Sequence, residues 1–98
     1  MEDALAYLSG TDETCATLRA DMERAEFRAK RTEQAIFKIS DGTVAERTAI
    51  AKTSADTETA YEKYFAALQA HEAMRNKRTT EAIVIDTWRS LNANRRQG

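Results

Sequence analysis

The chain contains no proline, and its three glycines stand at positions 10, 42 and 98. No other residue type breaks a helix strongly, so two long intervals are free to form uninterrupted helix. Between the first two glycines, Cys15, Leu18, Met22, Ala25, Ala29, Thr32, Ile36 and Ile39 recur at alternating spacings of three and four. That is a heptad seam sustained for more than three heptads. A helix over about 12–40 is roughly 43 Å long at 1.5 Å per residue, a rod that needs a partner along its length.

Local signals set the expected boundaries. A short leading helix over about 2–9 carries Leu5 and Leu8 and ends at Ser9-Gly10, where glycine can take the left-handed cap conformation. Thr11 or Asp12 then offers an oxygen to cap the long helix, and Asp12 and Glu13 suit its positive end. Ser40-Asp41-Gly42 closes the rod. Thr43 followed by Glu46 is a capping-box pattern that starts a short helix over about 44–52. Thr53-Ser54 restarts the chain, and no breaker follows from Asp56 to about Asn94.

In that last segment Ala60, Tyr64, Ala67, His71, Met74, Arg78, Glu81, Ile85, Trp88 and Asn92 keep the same periodicity, with Tyr61, Leu68, Ala82 and Arg89 beside them. Thr79-Thr80 and the β-branched run Ile83-Val84-Ile85 lower helix propensity slightly. The expected architecture is all-α: one domain over 1–98, an elongated antiparallel hairpin with a coiled-coil-like seam, a short N-terminal helix and a short helix at the bend. Leu18, Met22, Ile36, Ile39, Tyr64, Leu68 and Ile85 are its expected core or oligomer seam. Register counting about a bend near residue 47 sets Leu5 and Leu8 near Ile85 and Trp88, and Cys15 and Leu18 near Arg75 to Arg78. The seam is half polar, and heptad seams pair equally well within or between chains, so a homo-oligomer is expected.

Ninety-eight residues with 32% charged side chains describe one small soluble domain rather than a multidomain enzyme. No run of apolar residues is long enough for a membrane span, and Met1-Glu2-Asp3 lacks the basic start of a secretory signal. A cytoplasmic protein is expected. The single Cys15 has no disulfide or zinc partner.

Catalytic constellations are absent. His71 is the only histidine, which leaves Cys15 and His71 as the one nucleophile pair, set about two helical turns apart by the register. The carboxylates Glu23/Glu26 and Glu58/Glu62 lack the Glu-x-x-His partners of a di-metal bundle site, and Asp41-Gly42-Thr43 lacks the second glycine and lysine of a phosphate loop. No enzyme, metal or cofactor is expected.

Net charge is −1, yet it is distributed in blocks: −5 over 1–26, +3 over 27–53, −3 over 54–74 and +4 over 75–98. One explanation is pairing between segments of opposite sign. The other is a basic surface. Arg24, Arg28 and Arg31 align on one helix face with Lys30 beside them; Arg75, Lys77 and Arg78 form a second group; and Arg89, Arg95 and Arg96 form a third next to Trp88. Arginines in line can follow a phosphate backbone, and an aromatic with arginines is the general single-strand binding mode. Against this, the first group can pair with Asp21, Glu23 and Glu26, and Trp88 can pack on Leu5 and Leu8.

Two passages, Asp41-Gly42-Thr43-Val44-Ala45-Glu46-Arg47 and Trp88-Arg89-Ser90-Leu91-Asn92-Ala93-Asn94-Arg95-Arg96, resemble small all-helical proteins encoded among the recombination genes of tailed phages. That family is distantly similar to UvsY-type recombination mediators, which load a RecA-like recombinase onto single-stranded DNA coated with single-strand-binding protein. The resemblance implies a helical oligomer in the cytoplasm of a bacterial host cell, with single-stranded DNA, a recombinase and single-strand-binding protein as partners. It also implies nucleic-acid contacts at Arg28, Lys30 and Arg31, which precede the glycine turn. With the other two basic groups, the candidate contacts are Arg28, Lys30, Arg31, Arg75, Lys77, Arg78, Trp88, Arg89, Arg95 and Arg96. The alternative is a protein-interaction module, such as a phage inhibitor of a host defence complex or an assembly adaptor.

Overall fold

The computed structural model describes residues 1–97, with side chains described through Arg95. The chain folds into three helices, α1 (Glu2–Ile39), α2 (Val44–Thr53) and α3 (Ala55–Gln97), and no strand occurs among the described residues. α1 and α3 pack along their lengths as an antiparallel hairpin with α2 at the bend. The result is a rod of 75 × 23 × 14 Å with a radius of gyration of 21.6 Å. A compact chain of this length has a radius near 13 Å. No helix among the described residues is long and apolar enough to cross a membrane.

One expected break is missing. α1 runs continuously through Gly10, so the leading helix over 2–9 and the rod over 12–40 are one element. The Thr11 hydroxyl does not cap a new helix; it donates backward to the Tyr7 carbonyl at 2.6 Å. A glycine inside a helix costs only about 1 kcal/mol relative to alanine, and packing against α3 on both sides of Gly10 outweighs that. Thr79 and Thr80 likewise do not interrupt α3: each hydroxyl donates to the carbonyl four residues earlier, Arg75 and Asn76 respectively.

The bend follows its local signals. Gly42 takes a φ of 117°, in the left-handed region, and the Thr43 hydroxyl accepts from the Glu46 backbone N–H at 3.2 Å. Arg47 ties the end of α1 down. Its Nε donates to the Phe37 carbonyl at 3.1 Å, and its guanidinium lies 4.2 Å from the centre of the Phe37 ring. A cation is thereby placed among the unpaired carbonyls of a helix C-terminus, where it is electrostatically favoured.

The interior is thin. Ala4, Ala29, Ala51 and Ile85 are its buried apolar residues, with Thr57 among them. The small Ala25 and Ala29 let the two long helices approach closely. Leu18, Met22, Ile36, Tyr64 and Leu68 are half-buried along the seam. Ile39 departs from the expected seam, since it is 82% exposed. It is the last residue of α1, where the chain turns away before α3 begins, so the heptad count continues past the point where there is a helix to pack against.

Polar ties fix the pairing of the long helices. The Arg78 guanidinium donates to the Leu8 carbonyl at 2.9 Å, to the Thr11 hydroxyl at 2.7 Å and to the Asp12 carboxylate. Nearer the bend, the Tyr61 hydroxyl donates to Glu33 at 2.9 Å. Cys15 shares a groove with Arg75 and Arg78, as register counting sets it. The fork of Arg78 reaches about one turn further along α1.

No atom lies within 4 Å of a Cβ built on Gly10. Gly10→Ala therefore raises stability by about 1 kcal/mol through helix propensity alone, an increase of several degrees in Tm by calorimetry; a lowered Tm would show that α1 is broken there.

Candidate nucleic-acid interface

The three basic groups have different fates, decided by the acids within reach of each. In the second group, Arg78 is spent on α1, the Lys77 ammonium lies 4.5 Å from the centre of the Tyr7 ring, and Arg75 faces Glu72 at 3.7 Å. Arg78 and Lys77 tie α3 to α1, whereas Arg75 pairs within α3. Arg78 in particular is a positioning residue, with only 22% of its side chain exposed.

The first group divides. Arg24 faces Asp21 at 3.4 Å, and Lys30 donates to Glu26 at 2.7 Å. The Glu26 hydrogen bond and charge hold the Lys30 ammonium above its ordinary pKa, so it is charged but already paired. Arg19 is taken by Glu23. Arg28 and Arg31 have no ion-pair partner among the described residues. Both line a groove of about 620 Å³ between α1 and α3, floored by Ala25, Ala35 and Ala60 and reached from α3 by Lys63 and Asp56. Small residues make this groove, because alanine at the seam leaves space that a larger side chain would fill.

Arg28 and Arg31 also border a second depression on the outer face of α1, with Arg24 and Phe27. Phe27 is 64% exposed. It follows Arg24 by three residues and precedes Arg31 by four, so all three share one helix face with Arg28. An exposed ring among arginines offers a π-face to a base and guanidinium groups to its phosphates. Phe27 and Lys63 were not among the sequence-based candidates. The signal for Phe27 was present in its placement outside the heptad seam and inside the arginine line.

The third group lies elsewhere. With Glu33 level with Tyr61, Arg28 stands opposite about residue 66, and Trp88 lies roughly 33 Å further along the rod by helical rise. Trp88 is 45% exposed, and neither Arg89 nor Arg95 has an ion-pair partner among the described residues. The Arg96 side chain lies outside the described residues. The candidate contacts thus do not form one site: Arg28 and Arg31 converge with Phe27, Arg75, Lys77, Arg78 and Lys30 are engaged within the chain, and the Trp88 group occupies one end.

Cys15 and His71 line the same groove beside Arg75 and Arg78. No hydrogen bond joins them among the described residues; the largely buried His71 has its Nδ1 3.4 Å from Glu72, outside hydrogen-bond geometry. No cluster of three or more metal-ligating side chains occurs among the described residues. No family model, no curated protein and no solved structure matches the chain.

Tyr61 gives the seam a pH signature. Its hydrogen bond to Glu33, then burial and the Glu33 charge, raise its pKa above the ordinary value of 10.0. A raised folded-state pKa stabilises fully below the unfolded value and is lost as pH rises through the folded one. Ultraviolet titration should find Tyr61 ionising above the ordinary tyrosine value, with stability falling above about pH 10. Tyr61→Phe should remove both effects and cost about 1 kcal/mol at neutral pH; an unchanged titration would exclude the Glu33 bond.

Proposed function

We propose that this protein is a single-stranded DNA-binding accessory of phage recombination, which helps a RecA-like recombinase replace single-strand-binding protein. The observation that carries the DNA-binding part is the exposed Phe27 set among Arg24, Arg28 and Arg31, two of which have no acid partner among the described residues. Base stacking on an aromatic is sequence-tolerant because every base has a π-face, and arginines along one helix line can track the backbone. Lys63 adds a cation from the facing helix. The loading role, with recombinase and single-strand-binding protein as partners, rests on the resemblance carried by residues 41–47 and 88–96.

Net charge of −1 makes long-range attraction to DNA weak, so binding has to come from the local patch. Repetition of that patch in an oligomer would multiply modest contacts, by about 10² to 10⁴ for linked sites.

A second reading, a protein-interaction module, is favoured by apolar exposure around the bend: Ile39 is 82% exposed, Val44 68% and Ile50 46%. Docking through these side chains would be insensitive to salt. DNA binding through phosphates would not.

Anisotropy of a labelled oligothymidylate at two salt concentrations separates the readings. Binding should weaken steeply with salt, and Arg28→Ala with Arg31→Ala should reduce the slope by about 1.4, since each single-strand phosphate contact contributes about 0.7. Phe27→Ala should weaken binding by about 1–3 kcal/mol with little change of slope, and Arg75→Ala should leave both unchanged. Absence of salt-sensitive binding at low salt, or equal effects of all variants, would overturn the proposal.

A further inference from the structure

The C-terminal third of α3 carries an apolar stripe that the described residues cover only in part. Val84, Trp88 and Leu91, spaced by four and three, are 42%, 45% and 55% exposed. They lie on the same side of α3 as Lys77, seven residues before Val84, whose ammonium sits over Tyr7 of α1. Ile85, one position round the helix, is 6% exposed and packs inward. The stripe is therefore a second apolar face beside the one that holds the hairpin.

Its charges make it self-complementary. Seven residues before Trp88 stands Glu81, and seven residues after it stands Arg95. Neither has an ion-pair partner among the described residues. A two-fold axis passing through Trp88 and running two α3 helices antiparallel brings Arg95 of each copy level with Glu81 of the other. It also lays Trp88 on Trp88, and Leu91 of each copy against the Val84–Ile85 level of the other. A symmetric dimer requires one patch that matches itself after rotation, and the order acid, Val84, Trp88, Leu91, base does so.

The chain exposes 7404 Å², whereas a compact monomer of this mass exposes roughly 5,600 Å². That excess of roughly 1,800 Å² is spread along the whole 75 Å rod, and a standard interface would take about 800 Å² of it per partner. A thin interior whose largest buried apolar residue is Ile85 leaves that area to be covered from outside.

We infer that the Val84–Trp88–Leu91 face of α3 binds a second copy of this chain, antiparallel about Trp88, with Arg95 and Glu81 paired across the interface. This inference is independent of the DNA-binding reading, which uses a different face of the rod.

Trp88 is the only tryptophan, so its fluorescence reports the proposed interface directly. Sedimentation equilibrium of the full chain should give twice its 11.0 kDa mass, and dilution should release monomer while Trp88 emission shifts to the red. Leu91→Glu should weaken association by at least about thirtyfold, as for a central interface residue, and give the red-shifted spectrum at all concentrations; circular dichroism monitors its helix content. Phe65→Glu, at an exposed position on another part of α3, should leave association intact. Arg95→Glu and Glu81→Arg should each weaken the dimer and together restore it. A monomer at every concentration, association untouched by Leu91→Glu, or a charge swap that fails to restore it would overturn the inference.

Discussion

One arginine ties the two long helices in register. Arg78 donates to a carbonyl, a hydroxyl and a carboxylate that all belong to α1, between 66 and 70 residues away in sequence. A planar fork with several fixed donors suits such a set, where an ammonium would satisfy fewer partners at once. With 22% of its side chain exposed, the guanidinium is partly withdrawn from water, so its bonds are less screened than those of surface pairs such as Arg19 with Glu23. The tie matters because the seam is poor in large buried side chains. Alanines allow close approach but supply little buried area, and they do not by themselves select one register.

That tie also decides which cations remain free. The acidic first block of the chain meets the basic last block through Asp12 and Arg78, and local pairs at helical spacing absorb Arg19, Arg24, Lys30 and Arg75. Arg28 and Arg31 fall on the stretch of α1 that faces Ala60 and Lys63 across the groove, with Asp56 as the acid there. Their freedom is thus a product of register. Moving α3 by one turn would bring different acids opposite them.

Much of the architecture was legible in the residues. The proline-free intervals, the Ser40-Asp41-Gly42 turn and the Thr43 cap are local signals, and each leads directly to a helix or an end. Gly10 misled because a glycine flanked by serine and threonine reads as a stop. Whether a helix continues through such a point depends on what packs on either side, and the hydroxyl of Thr11 serves continuation as readily as capping. Ile39 misled for a related reason, since periodicity does not record where the partner helix ends. The pairs Asp21–Arg24 and Glu26–Lys30 were readable from spacing alone. Arg78–Asp12 was not, and neither was the lack of an acid partner for Arg28 and Arg31, because both depend on how residues distant in sequence are brought level; the placement of Phe27 beside those arginines was readable from helical spacing.

Amide chemical shifts of the labelled protein, followed as an oligothymidylate is added, test the central claim that pairing within the hairpin leaves Arg28 and Arg31 with Phe27 as the free basic face. The account predicts perturbations confined to residues 24–31 and the facing turn around Lys63, while 75–78 stay still. Perturbation concentrated at 75–78, with 24–31 unmoved, would contradict it.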